Sequence, residues 1–469
     1  MHLSDFPDRL SPMLVKELRQ GLRTRSFVGV FLALQIILGI ILLAASAAAD
    51  SDDAGSSISS VIFTFFSIAV LIIQPMRGIS ALSSEVKGNT IDMMVLTRLS
   101  AWRIVTGKWT AIVSQSALLL ITIVPYLILR YFFGGMNLFG EIMLLAMIFI
   151  TSATLTAITV GLSASGSVIL RMVLPMIALP IAAYSMLMMM AFGGGSAFLI
   201  ELVSLADKDS RIFVPIYLAT CAYGGFFMLS IGTSLIAPYA ENHSTKRRLV
   251  ALWVTIVAAG LGCMSFTDPD VLPFFFVLIL LPIFASSLTE FAPLVTPSYR
   301  RFAKFGTLGK TTGIFLLPGW PSGLFFCLLL SLIAAVPFLF SDYPYGIGDT
   351  QIYGVICLAS LLFPAVIINL FRMNGPQRVS NYVLFLLSSG IITLVLAGIA
   401  ESLSNHEFLW IFLWIPPVLM VLEEMGSSGD AVGICAIVLN LIFIGILLML
   451  AIHTYRKSIL EIRASLAQE

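Results

Sequence analysis

Apolar runs of membrane-crossing length recur along this chain, and they constrain its fold more than any motif. Phe27 to Ala49, Ile58 to Met76, Trp109 to Phe133, Ile142 to Ser163, Met172 to Phe192 and Phe213 to Tyr239 form a first series. Each is near the roughly 20 apolar residues that a helix needs to cross a hydrocarbon layer about 30 Å thick. A second series follows the basic cluster Lys246-Arg247-Arg248: Leu249 to Met264, Val271 to Leu288, Pro321 to Phe340, Ile352 to Phe371, Val379 to Ala400, Phe408 to Leu422 and Ala431 to His453. Of the 469 residues, 59% are hydrophobic and 11% charged, with a mean hydropathy of +1.01. A soluble globule cannot cover that much apolar surface. The expected fold class is an all-α polytopic membrane protein. Ala45-Ser46-Ala47 imitates a signal-peptidase site, but the run before it exceeds the usual signal core, so a retained first helix is expected.

The second series contains one run too many. If every run crossed, Arg456, Lys457 and Arg463 would share the outer side with Arg130, Lys208 and Arg211, against the excess of basic residues in cytoplasmic loops. Pro416-Pro417 also interrupts a straight helix at 408–422. The sequence therefore predicts about twelve transmembrane helices with both termini cytoplasmic, as two degenerate six-helix halves. Each half has a short non-crossing apolar segment before its last span, at 193–211 and 408–422. An even number of spans preserves direction, so such a repeat has its axis along the membrane normal. The expected division is 1–26, cytoplasmic; 27–240 and 241–455, the membrane halves; and 456–469, a cytoplasmic tail.

Two segments outside the spans carry pattern. Near the amino end, Ser11-Pro12 starts a helix with Leu14, Val15, Leu18 and Leu22 on one face and Lys16, Arg19 and Arg23 on the other. Such a helix lies on a membrane surface, its basic face toward anionic headgroups, unless it is an ordinary basic flank to the first span. The other segment is the charged loop 77–108. Asn89 and Asp92, just ahead of Ile91, Met94, Val95 and Leu99, predict a capped amphipathic helix, and Ser100 can cap a second one. The alternative is a solvated connector with accidental helical spacing.

Glu85, Gly88, Thr90-Ile91-Asp92-Met93-Met94-Val95-Leu96-Thr97-Arg98-Leu99-Ser100 and Gly107-Lys108 resemble the first cytoplasmic loop of type 2 ABC exporter permeases. Asn89 intrudes between Gly88 and Thr90, and Arg98 stands where that family commonly has proline. The amino-terminal helix is similar to the family's elbow helix. The resemblance implies that loop 77–108 docks on a separate ATP-binding subunit and passes its movement to the membrane helices. Glu85, Gly88, Thr90, Asp92, Leu96, Thr97, Leu99, Ser100, Gly107 and Lys108 would be the coupling residues. ATP and Mg would belong to the partner subunit, and the chain itself would carry no cofactor or metal. The bacterial cytoplasmic membrane would be its location, with membrane lipid and a second permease or a second copy of the chain as further partners.

The remaining features are mostly structural. Loop 289–320 is basic and aromatic, with Tyr299, Arg300, Arg301, Lys304, Phe305 and Lys310, and reads as an inside anchor or a second docking surface. Ala81-Leu82-Ser83-Ser84-Glu85 echoes Ser286-Ser287-Leu288-Thr289-Glu290 at the starts of the two loops. Gly306-Thr307-Leu308-Gly309-Lys310-Thr311 imitates a phosphate-binding loop, but two residues instead of four separate its glycines and no strand precedes it. The five cysteines are scattered among apolar runs and read as small core residues. The four histidines form no metal pattern.

Ser152, Thr156, Thr159 and Ser163 share a helical face beside a small-residue row of Ala157, Gly161 and Ser165, a pattern that serves close helix packing. Gln35, Gln74, Asn369 and Asn440 read either as cavity-lining or as structural amides. Arg77, Arg130 and Glu141 fall near span ends, where long side chains reach water. The chain is not expected to be an enzyme or to bind nucleic acid. An exporter permease leads; a twelve-helix secondary carrier and a non-transport membrane scaffold are the other classes.

Overall fold

The computed structural model describes residues 12–47, 54–88, 100–131, 137–173, 175, 179, 196–238, 241–263, 272–290, 296–340, 349–371, 373, 375, 377–403, 407–424 and 429–468. All regular structure among them is helical. The chain divides into two compact units, Met1–Ala237 and Pro238–Glu469.

In the first unit, α1 (Pro12–Leu22) precedes α2 (Arg25–Ala47), and α3 (Ala54–Ser67) runs through a π-helical turn, Ile68–Ile73, into α4 (Gln74–Gly78). A short helix, α5 (Ser83–Lys87), leads to residues outside the described set, and α6 (Ala101–Tyr131) follows. Then come α7 (Leu138–Ser163), α8 (Ser196–Val203) and α9 (Lys208–Ile236). Helix α7 is the central post: α4, α6, α8 and α9 all pack against it. One core joins Leu38, Phe63, Phe66, Ile123 and Ile148, and a second, nearer the loop 77–108, joins Leu82, Ile104, Val105, Val160 and Leu229.

The polar face of α7 holds helices together. Ser152, Thr156, Thr159 and Ser163 are fully buried. Ser152 Oγ donates to the Val70 carbonyl in the π turn at 2.7 Å, and Ser163 Oγ accepts from the Leu82 amide at 3.1 Å. The small-residue row allows α9 to approach: a Cβ on Gly161 would stand 2.2 Å from the Met228 carbonyl oxygen, and one on Gly232 2.8 Å from Gly161 Cα. Close backbone approach of this kind is how small residues associate helices where lipid offers no hydrophobic driving force.

The second unit contains α10 (Ser244–Cys263), α11 (Leu272–Leu288), α12 (Thr296–Ala303), α13 (Gly306–Leu316), α14 (Trp320–Phe340), α15 (Asp349–Leu370), α16 (Arg378–Leu403), α17 (Val418–Glu424) and α18 (Gly429–Gln468). The segment 408–422 is broken, a 3-10 turn at Glu407–Phe412 and then α17, with the prolines between them. Its Leu409, Val418, Leu419 and Leu422 are buried with Leu396, Ala400 and Val432. In the first unit α8, equally short, buries Leu199 and Val203 against α3, α7 and α9.

Eight helices among the described residues are long and apolar enough to cross a membrane: Arg25–Ala44, Ser59–Lys87, Ala101–Leu129, Leu138–Ser163, Ser210–Ile236, Trp320–Phe338, Arg378–Ser402 and Ala431–Ile462. Phe275–Leu288 and Gly354–Leu370 are apolar but shorter. The expected span 249–264 lies in α10, and 172–192 falls almost wholly outside the described residues. These long apolar helices fit an integral membrane protein.

Two expectations need correction. Glu141 does not reach water: it is 1% exposed, and Ser59 Oγ bonds to its Oε1 at 3.4 Å. Cys263 is exposed rather than a core residue, whereas Cys327 and Cys357 are buried. The helix expected to start at Ser100 is α6, and Gly107 and Lys108 lie buried in its second turn. The segment 306–311, whose glycine spacing already departs from that of a phosphate-binding loop, forms the first turn and a half of α13, where a Cβ on Gly309 would stand 1.8 Å from the Phe302 carbonyl oxygen.

Candidate functional site

The base of loop 77–108 is where charge, burial and three distant pieces of chain converge. Lys108, on α6, puts Nζ 2.9 Å from Glu85 Oε1 and 3.2 Å from Glu17 Oε1. Its side chain is 7% exposed, and those of Glu85 and Glu17 are 13% and 18% exposed. Glu85 lies on α5, at the outgoing end of the loop, and Glu17 on α1. One ammonium therefore joins the two ends of the loop and fastens the amino-terminal helix to them. Buried charges persist when paired in this way.

A second knot lies beside the first. Arg77 Nη2 donates to the Gly21 carbonyl at 3.3 Å and to Thr24 Oγ1 at 3.0 Å. Its Nη1 donates to Gln74 Oε1 at 3.1 Å and to Gln115 Oε1, and the guanidinium lies 5.7 Å from the centre of the Phe27 ring. A cation on the last carbonyls of α1 is favoured by the helix dipole. Gly21 lets the Gln115 amide come close, since a Cβ there would stand 2.0 Å from Gln115 Nε2 and displace that side chain. Helix α1, packed along α6, is thus held at Glu17 by Lys108 of α6 and at its carboxyl end by Arg77 of α4, with Leu18 buried and Lys16, Arg19 and Arg23 exposed.

Of the residues singled out in sequence, Glu85 and Lys108 meet in this knot. Gly107, also buried, lies one residue before Lys108 on α6. Gly88 is exposed where α5 ends, its amide on the Ser84 carbonyl at 3.0 Å. Ser100 is exposed and immediately precedes α6, with its carbonyl accepting from the Arg103 and Ile104 amides. Thr90, Asp92, Leu96, Thr97 and Leu99 lie outside the described residues, as does the expected amphipathic helix. Sequence reasoning missed Glu17, Gly21 and Gln115. The one available signal was Glu17, an acid within an otherwise basic helix.

The second unit has a related knot. Arg248, 1% exposed, pairs with Glu290 at 2.8 Å and donates to the carbonyls of Phe315, Leu317 and Gly319 at 2.8, 2.6 and 3.1 Å. Glu290 Oε2 also accepts from the Gly319 amide at 3.0 Å, and the Glu290 carbonyl from the Trp320 amide at 3.1 Å. Burial lowers the Arg248 pKa from its ordinary value, and Glu290 opposes that shift. The glutamates ending the two echoed pentapeptides, Glu85 and Glu290, are each ion-paired at the base of their own loop.

The four amides thought able to line a cavity are engaged: Gln35 by Tyr126, Gln74 by Arg77, Asn369 by Arg378 and Asn440 by the Val355 carbonyl. No group of three metal-ligating side chains occurs among the described residues. Comparison with known protein families, with curated proteins and with solved structures finds no match to this chain.

Proposed function

We propose that the chain is the membrane permease subunit of an ATP-driven type 2 ABC exporter, with about twelve spans and both termini cytoplasmic, in a bacterial cytoplasmic membrane. A separate ATP-binding subunit, which carries ATP and Mg, docks on loop 77–108. The observation that supports this most is the Lys108 bridge. A force on a loosely tethered loop would be absorbed as local disorder, whereas here Glu85, Lys108 and Glu17 tie both loop ends to α1 and α6. Displacement of the loop is then shared by α6 and, through packing, α7. Val86, Lys87 and Gly88, exposed on the loop, are the surface offered to the motor.

The test is purification of the tagged chain from its native membrane. Wild type retains a Mg-dependent ATPase; Val86→Asp combined with Gly88→Pro loses it while the membrane domain stays folded. An ATPase retained in that variant would count against the loop as its dock. The buried Glu141 favours a second reading, the secondary carrier, because an intramembrane acid is the group such a carrier needs. Transport in liposomes driven by a proton gradient without any ATPase, and lost in Glu141→Gln, would select it.

A further inference from the structure

In the second unit, α12 and α13 close against the last helix, α18, around a cavity of about 160 Å³. Its walls are Tyr299, Phe302, Gly313, Ile314, Tyr455 and Ile459, with smaller neighbours, and are mostly apolar. The corner between α12 and α13 is fixed: Gly306 has φ +64°, and the approach of Gly309 to the Phe302 carbonyl excludes any larger residue. Next in the chain to the lining residues Tyr299, Ala303 and Tyr455, the basic residues Arg300, Lys304 and Arg456 are exposed, with Glu461 the nearby acid on α18. Phe305 and Leu308, at the corner itself, are each 75% exposed.

We propose that this cavity and its basic rim bind an anionic phospholipid. The part of one acyl chain nearest the headgroup lies between Tyr299 and Tyr455, and the phosphate lies between Lys304 and Arg456. The location supplies the ligand, because α18 is long and apolar enough to cross a membrane and Tyr455 and Ile459, which line the cavity, lie toward the carboxyl end of its apolar stretch. Tyrosines at headgroup level have an apolar body and a polar tip suited to that boundary. Exposed Phe305 and Leu308 beside Lys304 are the pattern of a segment that dips into the interface. Basic side chains near an anionic surface each strengthen binding by roughly fivefold. The opposite charge of the rim is what favours a phospholipid over an apolar protein segment as the occupant.

Native mass spectrometry of the detergent-purified full chain tests this, with phosphatidylglycerol and phosphatidylcholine of identical acyl chains as probes. Wild type should retain phosphatidylglycerol at least about tenfold more strongly. Lys304→Gln/Arg456→Gln, both at exposed positions, should lower that preference toward unity with an unchanged unfolding temperature. Ala303→Phe, which fills the cavity and leaves the charges in place, should weaken retention of both lipids. Equal retention of the two lipids by wild type, or a preference untouched by the double variant, would overturn the proposal. So would a photo-cross-linker at Phe302 that captures a protein in place of lipid in the native membrane. None of these readouts involves loop 77–108, so their failure leaves the permease reading unaltered.

Discussion

Lys108 supplies one positive charge to two carboxylates whose residues lie 91 positions and 23 positions away in the sequence. Its replacement by Met removes the ammonium that Glu17 and Glu85 share and leaves two acids facing each other in a largely closed space. Breaking a buried pair from one side destabilises by several kcal/mol, and the partial exposure of both acids reduces this to about 2 kcal/mol. Thermal unfolding in detergent should show that loss. Adding Glu17→Gln and Glu85→Gln to Lys108→Met should restore most of it, because no charge is then left unpaired. At the α7–α9 crossing, Gly161→Ala should cost about 2 kcal/mol through overpacking against the Met228 carbonyl. Gly225→Ala, whose added Cβ would meet Ala157 at an ordinary 3.8 Å, should be tolerated in the same assay.

At the scale of elements, α1 is a strut fixed at Glu17 and at Gly21–Thr24, and the loop base depends on it. Glu17→Ala should raise amide hydrogen exchange at Ser83–Lys87, a segment with no buried residue of its own, and leave α7 protected. Unchanged exchange in α5 would mean that α1 and the loop are not coupled. The elements were largely legible in the sequence, since each long apolar run became a helix wherever the chain is described. The break at 408–422 was legible too, because Pro416-Pro417 cannot continue a helix. The bridges were not. Pairing Glu17 with Lys108, or Arg248 with Glu290, requires knowing which helices are neighbours, and a one-dimensional pattern contains no such term. Glu141 was misread for the same reason: its position near a helix end is local, whereas its burial depends on how α3 and α8 pack around the start of α7.

For the molecule as a whole, the orientation of the expected spans makes a prediction about its thiols. Cys263, exposed at the end of α10, lies on the outer side if both termini are cytoplasmic. A membrane-impermeant maleimide applied to intact cells should label it and spare the buried Cys327 and Cys357. Labelling of Cys263 only after the membrane is opened would invert the orientation and remove loop 77–108 from any cytoplasmic motor. The central claim is that this loop is the handle by which an ATP-binding subunit moves the helices. Its most direct measurement is site-specific cross-linking from position 86, exposed beside the Glu85–Lys108 bridge, in the native membrane. The account predicts a cross-link to a nucleotide-binding polypeptide whose yield changes when ATP is trapped on it. Cross-linking to lipid or to an outer-face protein, with no nucleotide-binding polypeptide captured, would contradict it.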